Sequence, residues 1–171
     1  MNASRKPLRS GTRGYAHLVE IDAPPARVWR ALIDPALIRI WSSAHAVVDA
    51  RQGGLYRIGR DGGHSRDAHI DIFDVNRRLR LIYMRGADLP PCESAIVDDF
   101  LLDMRKGPGT TSMRLLGSGI PEAAAWDPYY KRMRLQWERN LARIKVALEN
   151  PPRQKVGRAV SALPPLPGLD T

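Results

Sequence analysis

The sequence predicts an α+β fold in which a curved antiparallel sheet of six to seven strands wraps around one long C-terminal helix. Residues 126–149 repeat apolar side chains every three to four positions, as one long amphipathic helix does. Residues 44–116 contain short apolar segments joined by few residues, which favours antiparallel pairing because parallel strands need long crossovers. Two short helical segments precede those strands. A sheet that grips a helix in this way leaves room for a ligand between the two.

The first elements are a strand and two short helices. Residues 15–22 (YAHLVEID) alternate apolar and polar side chains, as a strand with one buried face should. Pro24 and Pro25 suit the start of a helix, because a missing N–H in the first turn loses no hydrogen bond. That helix is expected to end at Asp34, and residues 36–41 form the second one. Both are too short to be stable alone, so they must pack on something.

Six further strands are expected before the long helix. Their ranges are 44–50, 55–60, 68–75, 79–84, 93–105 and 111–116. Glycine-containing turns at 52–54, 61–63 and 106–109 separate three pairs of them. The segment 93–105 is expected to be the longest strand.

The long helix presents one apolar stripe, which must face the sheet. Its members are Trp126, Tyr130, Met133, Trp137, Leu141, Ile144 and Leu148. The first half is aromatic and thioether, and such bulky, polarizable groups suit the mouth of a ligand pocket. The second half is aliphatic and suits close packing. The stretch from Trp126 to Trp137 is therefore a candidate ligand surface, with plain core packing as the alternative.

The strand at 93–105 brings a carboxyl group toward the interior. Asp98, Phe100 and Leu102 share its more apolar face, which is expected to point inward. An inward carboxylate is unfavourable by several kcal/mol unless it is paired or hydrogen-bonded. Asp98 is therefore either a polar anchor for a ligand, with Arg134 as its partner, or a wet residue at the open end of the strand. Alternation on the facing strands, together with the second short helix, adds the candidate ligand contacts Leu81, Tyr83, Met113, Leu115 and Trp41.

The charge of the chain is +9, and its distribution argues against nucleic-acid binding. Residues 1–14 carry four cations and no anion, and residues 151–171 carry three cations and one anion, which leaves +3 for residues 15–150. The remaining basic residues lie largely on the exposed face of the last helix, whereas its aromatic residues lie on the opposite stripe. We expect a basic flexible tail at 1–14, one domain at 15–150 and a proline-rich flexible tail at 151–171.

Location, redox chemistry and metal binding are constrained by what the sequence does not contain. No apolar run approaches the roughly 20 residues that span a bilayer, and residues 1–13 lack the core of a signal peptide, so the expected location is the cytoplasm. A single cysteine, Cys92, excludes an internal disulfide. No histidine and cysteine pattern has zinc-ligand spacing, and no phosphate loop, dinucleotide fingerprint or nucleophile motif is present. We expect no metal and no cofactor.

Several segments, in the right order, resemble a known superfamily. They are IDAPPARVWRALIDPALIRIW, VVDARQGGLYRI, NRRLRLIY, and SGIPE before a tryptophan-containing helix. Over roughly residues 15–149 the chain resembles the SRPBCC (START/Bet v 1-like) superfamily, and within it the branch similar to the C-terminal domain of the activator of Hsp90 ATPase. The resemblance implies a helix-grip fold with a deep apolar cavity. Because members include lipid carriers, polyketide cyclases, hormone receptors and co-chaperones, the fold alone does not choose a function.

Three functional hypotheses follow from these residues and from the resemblance. The first is a binding protein that holds a small apolar or aromatic molecule between the sheet and the final helix. The second is an enzyme of the cyclase or dehydrase kind, in which Asp98, Tyr83 or a cavity histidine acts as the general acid or base. The third is a partner of Hsp90, although the co-chaperone proper carries an additional N-terminal domain. A homodimer is also compatible with an exposed sheet edge or helix face.

Overall fold

A computed structural model describes residues 11–59 and 65–150 and confirms the helix-grip architecture. Its elements in chain order are β1 (Thr12–Ile21), α1 (Pro25–Ile33), α2 (Pro35–Ser42), β2 (His45–Val48), β3 (Leu55–Gly59), β4 (Arg66–Asp74), β5 (Arg78–Tyr83), β6 (Val97–Asp103), β7 (Thr111–Pro121), a short 3-10 turn (Ala124–Trp126) and α3 (Asp127–Glu149). The expected turn at 61–63, Arg60 at the end of one expected strand, and the tails apart from residues 11–14 lie outside the described residues.

The seven described strands form one antiparallel sheet in the order β1-β7-β6-β5-β4-β3-β2. Strands β2 to β7 pair in chain order, and β1 forms the edge of the sheet next to β7. The pairing register shifts between Arg13 and Tyr15 in β1 and between Ile70 and Ile72 in β4. Irregularities of this kind bend a strand and increase its twist, which helps the sheet curve around α3.

The two short helices are fixed by their ends and by their packing. Pro25 occupies the first turn of α1, as expected. Asp34 ends α1 and caps α2, because its side chain accepts a hydrogen bond of 3.0 Å from the backbone N–H of Ala36. The indole N–H of Trp41 donates to the carbonyl of Ala31 over 2.8 Å, which ties α2 to α1. Trp41 is therefore buried in the core and does not line an opening.

The longest of the described strands is β7 and not β6, which corrects the prediction from the sequence. The expected strand at 93–105 is regular only over Val97–Asp103, whereas β7 continues to Pro121 and is 11 residues long. The extension is stable because β1 supplies a backbone partner, with Thr12 opposite Pro121 and Arg13 opposite Ile120. Gly119 permits it, since its φ of +81° is unfavourable for residues with a side chain. A pattern of alternation does not detect such a glycine-rich strand.

The inward stripe of α3 matches the predicted one except in its first turn. Trp126, Met133, Trp137 and the aliphatic residues beyond them are buried. Tyr129 is buried in the place expected for Tyr130, which is half-buried and lies with its ring against Arg13. Helix α3 begins at Asp127 after a tighter 3-10 turn, so the sequence spacing from Trp126 does not follow the 3.6-residue repeat there.

The two adjacent carboxyl groups of β6 face opposite sides of the sheet. Asp98 points inward and Asp99 points outward, as the alternation predicts. On the outer face Asp99 accepts hydrogen bonds of 2.7 Å from Arg78 and 2.9 Å from Arg80. Partial burial opposes ionisation of Asp99, but these arginines outweigh it and lower its pKa.

Candidate functional site

A buried polar cluster between the sheet and α3 is centred on Asp98. Its side chain is 0% exposed and accepts three hydrogen bonds. The hydroxyl of Tyr15 donates to Oδ1 over 2.5 Å, the hydroxyl of Tyr83 donates to Oδ2 over 2.7 Å, and the indole N–H of Trp137 donates to Oδ2 over 2.9 Å. These donors come from β1, β5 and α3. One carboxylate thus joins three separate elements of the fold.

Strand register explains how a residue on β1 reaches a residue on β6. Gly117 of β7 lies between them, because it pairs with Tyr15 on one side and with Asp98 on the other. A Cβ atom at Gly117 would lie 2.3 Å from the ring of Tyr15. The missing side chain therefore lets that ring lie flat across β7, with its hydroxyl at Asp98.

Arg66 connects this buried cluster to solvent. It is the first residue of β4 and shares the inward face with Ala68 and Ile70, which are fully buried. Its guanidinium carbon lies 4.1 Å from the centroid of the Tyr83 ring, a cation–π contact. One guanidinium nitrogen is 3.8 Å from Oδ2 of Asp98. The side chain is 26% exposed, so its end can contact a bound molecule.

The surroundings hold these groups in defined protonation states. Burial raises the pKa of Tyr15, and the negative charge of Asp98 raises it further. Burial likewise raises the pKa of Tyr83 well above its ordinary value, with Arg66 opposing the shift and Asp98 adding to it. Both hydroxyls therefore remain protonated and act as donors. Burial alone lowers the pKa of Arg66, but the facing tyrosine oxygens and Asp98 outweigh it, so the guanidinium stays charged.

Two adjoining cavities open beside Arg66, with volumes of about 450 and 770 Å³. They share the wall residues Ser65, Arg66, Tyr83, Gly86, Leu89 and Tyr129. The smaller cavity is completed by the loop at 89–92, Ile96 and Trp126. The larger cavity runs along α3 past Met133 and Trp137 toward Tyr56. Arg66 and Tyr83 thus lie where the two cavities meet and where both touch the Asp98 cluster.

The structure divides the residues predicted to contact a ligand into three groups. Tyr83, Trp126, Met133 and Trp137 line the cavities. As bounded by the described residues, neither cavity reaches the fully or nearly fully buried side chains of Trp41, Leu81, Phe100, Met113 and Leu115, which form the core beneath. Leu102 and Tyr130 lie elsewhere: Leu102 lines a separate groove at the opposite end of the β4 strand, and the ring of Tyr130 packs against arginines.

The structure excludes one of the two alternatives for Asp98 and corrects its expected partner. Asp98 does not lie wet at the open end of a strand, since it is 0% exposed. Its cationic neighbour is Arg66 and not Arg134, whose guanidinium lies 5.9 Å from the ring of Tyr130. Arg134 follows Met133 by one residue, and one residue rotates about 100° around a helix, so its side chain leaves the inward stripe.

Three residues of the site were not identified from the sequence: Tyr15, Arg66 and Tyr129. Alternation contained a signal for two of them. Tyr15 shares a face with the buried Ile21, and Arg66 precedes the inward residues Ala68 and Ile70 at a spacing of two. An arginine on an otherwise apolar strand face indicates a buried anionic partner. The inward carboxyl group of Asp98 is the partner that the sequence offers.

The described part of the chain contains no helix that is both long enough and apolar enough to cross a membrane.

Comparisons with known proteins agree with this fold. A family model described as activator of Hsp90 ATPase homolog 1-like protein matches residues 22–149. No curated protein matches the chain. A solved structure from Mesorhizobium loti is similar at 22% identity and a TM-score of 0.71, covering 82% of this chain and 99% of the other. The Aha1 dimer from Colwellia psychrerythraea has 19% identity and a TM-score of 0.69, covering 81% and 97%.

An Hsp90 activator from Plasmodium falciparum is also similar, at 16% identity and a TM-score of 0.65, covering 78% of this chain and 93% of the other. Similarities at such low identities show a shared fold, and they do not transfer the function of one protein to another. The family model, in contrast, spans most of this chain and every described strand and helix except β1. The protein therefore belongs to the activator of Hsp90 ATPase homolog 1-like family.

Proposed function

We propose that this protein binds a small apolar or aromatic molecule in the two adjoining cavities between the sheet and α3. The observation that carries the proposal is the pair of cavities itself, each within the range of about 300 to 1,000 Å³ that ligand sites occupy. Their walls combine aromatic and apolar side chains with charged ones, and Arg66 lies on the wall that the two cavities share. Such walls favour an apolar body and fix its orientation through a small number of polar contacts.

The cavity walls rest on a rigid base, which suits a preformed site. Trp137 is held at its indole N–H by Asp98, and Met133 is 1% exposed within the core. The phenol of Tyr56 donates a hydrogen bond of 2.8 Å to the carbonyl of Leu32, which anchors the far end of the larger cavity to α1. A ligand would therefore meet side chains that are already ordered, so binding loses little conformational entropy.

A substitution that fills the cavities with a large side chain tests the proposal directly. Gly86 lines both cavities, and a Cβ atom there would meet Leu89 at 3.7 Å, an ordinary contact, so Gly86→Phe should fill the junction without displacing backbone. Gly109 is the matched control, because a Cβ atom there meets nothing within 4 Å and the residue lies in the β6–β7 turn. We expect intrinsic tryptophan fluorescence to shift with apolar or aromatic compounds in the wild type and in Gly109→Phe, but not in Gly86→Phe.

The outcome that contradicts the proposal is equally clear. Fluorescence and melting temperature that stay unchanged across a broad set of fatty acids and aromatic compounds would remove it. Shifts of equal size in Gly86→Phe and in the wild type would place the binding elsewhere on the protein. Native mass spectrometry of the purified protein adds an independent measurement, because a retained molecule would give the mass of the ligand.

The enzymatic alternative is less well supported by the geometry. Asp98 is fully buried behind its three protein donors and does not line either cavity as the described residues bound it, so a ligand there does not reach it. The raised pKa of Tyr83 keeps its phenol protonated, and that proton is directed at Asp98. Among the described residues the cavity walls contain no histidine. None of the expected acid–base candidates, Asp98, Tyr83 or a histidine, is thus available as a base on the described walls, although these walls do carry the carboxylates of Asp67 and Asp88.

A second proposal concerns protein partners. The family description names an activator of Hsp90 ATPase, and one structural relative is an Hsp90 activator. If this chain acts in the same way, the purified protein should raise the rate of ATP hydrolysis by purified Hsp90, and an unchanged rate at equimolar protein would speak against it. The proposed location for this role is the cytoplasm. The relative from Colwellia psychrerythraea is a dimer, so we also propose self-association, which light scattering would measure.

A further inference from the structure

We infer that the ligand carries an anionic oxygen group, such as a carboxylate, sulfonate or phosphate, and that Arg66 binds this group. The inference rests on the proposed function, because it assigns a chemical class to the ligand of the same cavities. It would make the protein a carrier or sensor of organic acids with an apolar body. Three properties of Arg66 favour an anion: its available donors, its fixed position and the charge around it.

The guanidinium of Arg66 retains donors that the described residues do not use well. An arginine has five N–H donors. Among the described residues, its polar contacts are with Asp98 at 3.8 Å and with the hydroxyl of Tyr129 at 3.5 Å, both longer than a good hydrogen bond. One face of the group is covered by the ring of Tyr83. The edge beside the cavities is therefore suited to a planar or tetrahedral anion, which arginine binds with two parallel hydrogen bonds.

Arg66 is also held in place before any ligand binds. The ring of Tyr83 supports the guanidinium, and that ring is fixed because its hydroxyl donates to Asp98 over 2.7 Å. Asp98 is fixed in turn by Tyr15 and Trp137. This chain of contacts gives the buried carboxylate a positioning role, since it orients the cation without touching the ligand. A preordered guanidinium loses less side-chain entropy when it binds an anion.

The charge around the cavities favours an anion as well. Over the described residues their walls carry five arginines and two aspartates, namely Arg66, Arg85, Arg132, Arg139, Arg143, Asp67 and Asp88. Asp67 accepts two hydrogen bonds from Arg57, at 2.8 and 2.6 Å, which offset its charge. The excess of positive charge at a partly enclosed opening attracts anionic molecules and increases their association rate.

The test uses two fluorescent probes that share one apolar body. 8-Anilinonaphthalene-1-sulfonate carries a sulfonate, and N-phenyl-1-naphthylamine has the same ring system without it. We expect the wild type to bind the sulfonate probe about tenfold or more tightly than the neutral one, since hydrogen bonds to charged groups contribute differences of that order. Gly86→Phe should weaken both probes, which locates them in the cavities.

Substitution of Arg66 then separates the two proposals. Arg66→Gln should weaken the sulfonate probe by about 10- to 100-fold and leave the neutral probe nearly unchanged. Arg66→Lys, which keeps the charge but not the planar pair of donors, should give a smaller loss. The matched control is Arg51→Gln, an exposed arginine paired with Asp49 and outside both cavities. Urea unfolding of each variant confirms that it is folded.

Each result has a definite meaning. Binding of both probes with equal affinity, or an unchanged ratio in Arg66→Gln, would overturn the anion inference while leaving the proposed binding function intact. Failure of the wild type to bind either probe would overturn both. If Arg66→Gln does not fold, the affinity ratio in the wild type and in Arg66→Lys still decides, because the inference requires a preference for the sulfonate in the unaltered protein.

Discussion

Asp98→Asn tests whether the buried carboxylate organises the site, because it preserves size while removing the charge and one acceptor. With its amide oxygen in place of Oδ2, the introduced asparagine would still accept from Tyr83 and Trp137, and its NH2 group would face Tyr15, whose hydroxyl must reverse to accept. The opposite rotamer would point the NH2 group at the indole N–H of Trp137, which can donate a hydrogen bond but cannot accept one. Three hydrogen bonds to a charged group thus become neutral ones, each weaker by about 1 kcal/mol. The free energy of unfolding should fall by about 3 kcal/mol.

Urea unfolding followed by circular dichroism measures this loss. The midpoint should fall with little change in the slope m, and the melting temperature should fall by about 10 °C. Asp103→Asn on the same strand is the control, because Asp103 is half exposed and pairs with the exposed Arg105. Exposed pairs contribute about 0 to 1 kcal/mol, so that variant should resemble the wild type. Asp98→Asn within about 0.5 kcal/mol of the wild type would refute the reasoning.

The remaining predictions concern pH and backbone geometry. Burial raises the pKa of three phenols, those of Tyr15, Tyr56 and Tyr83. The unfolded chain releases these protons near pH 10 while the folded protein keeps them. The free energy of unfolding should therefore be unaffected below about pH 10 and fall above it, by up to about 4 kcal/mol per pH unit. A free energy of unfolding in urea that stays constant from pH 8 to 11 would contradict this. Gly119→Ala should be destabilising by about 2 kcal/mol or more, because φ is +81° and a Cβ atom would lie 1.8 Å from the carbonyl oxygen of Ala95, whereas Gly109→Ala in thermal melts should be near neutral. Tyr56→Phe should lower the free energy of unfolding in urea by about 1 to 2 kcal/mol, since it leaves the buried carbonyl of Leu32 unpaired; an unchanged midpoint would show that water replaces the phenol.

Local patterns were sufficient for most of the architecture because each element buries one face. The two proline-initiated helices, the strand alternation and most of the α3 stripe follow from side-chain periodicity, which local sequence carries. The errors came where local pattern is weak. The glycine-rich end of β7 is a strand because β1 pairs with it, and Tyr129 replaces Tyr130 because a 3-10 turn changes the phase at the start of α3.

The candidate site was predicted in part. Strand alternation correctly directs Asp98 and Tyr83 inward, and the helical repeat places Trp126, Met133 and Trp137 on the side that faces the sheet. Neither pattern gave a basis for choosing the cation beside Asp98. Arg134 was chosen because it lies on the helix that faces the sheet. It follows the inward Met133 by one residue, however, and that step of about 100° around the helix turns its side chain away from the sheet.

The sequence by itself determined the order of elements and the inward and outward faces of the strands, including the inward direction of Asp98. These depend on spacing between neighbours in the chain. Only the tertiary structure decided that Tyr15, Tyr83, Trp137 and Arg66 meet at Asp98, because those residues are separated by up to 122 positions and converge through strand order and register. The curvature of the sheet also sets the two cavities beside Arg66, and curvature is a property of the whole sheet that no single segment encodes.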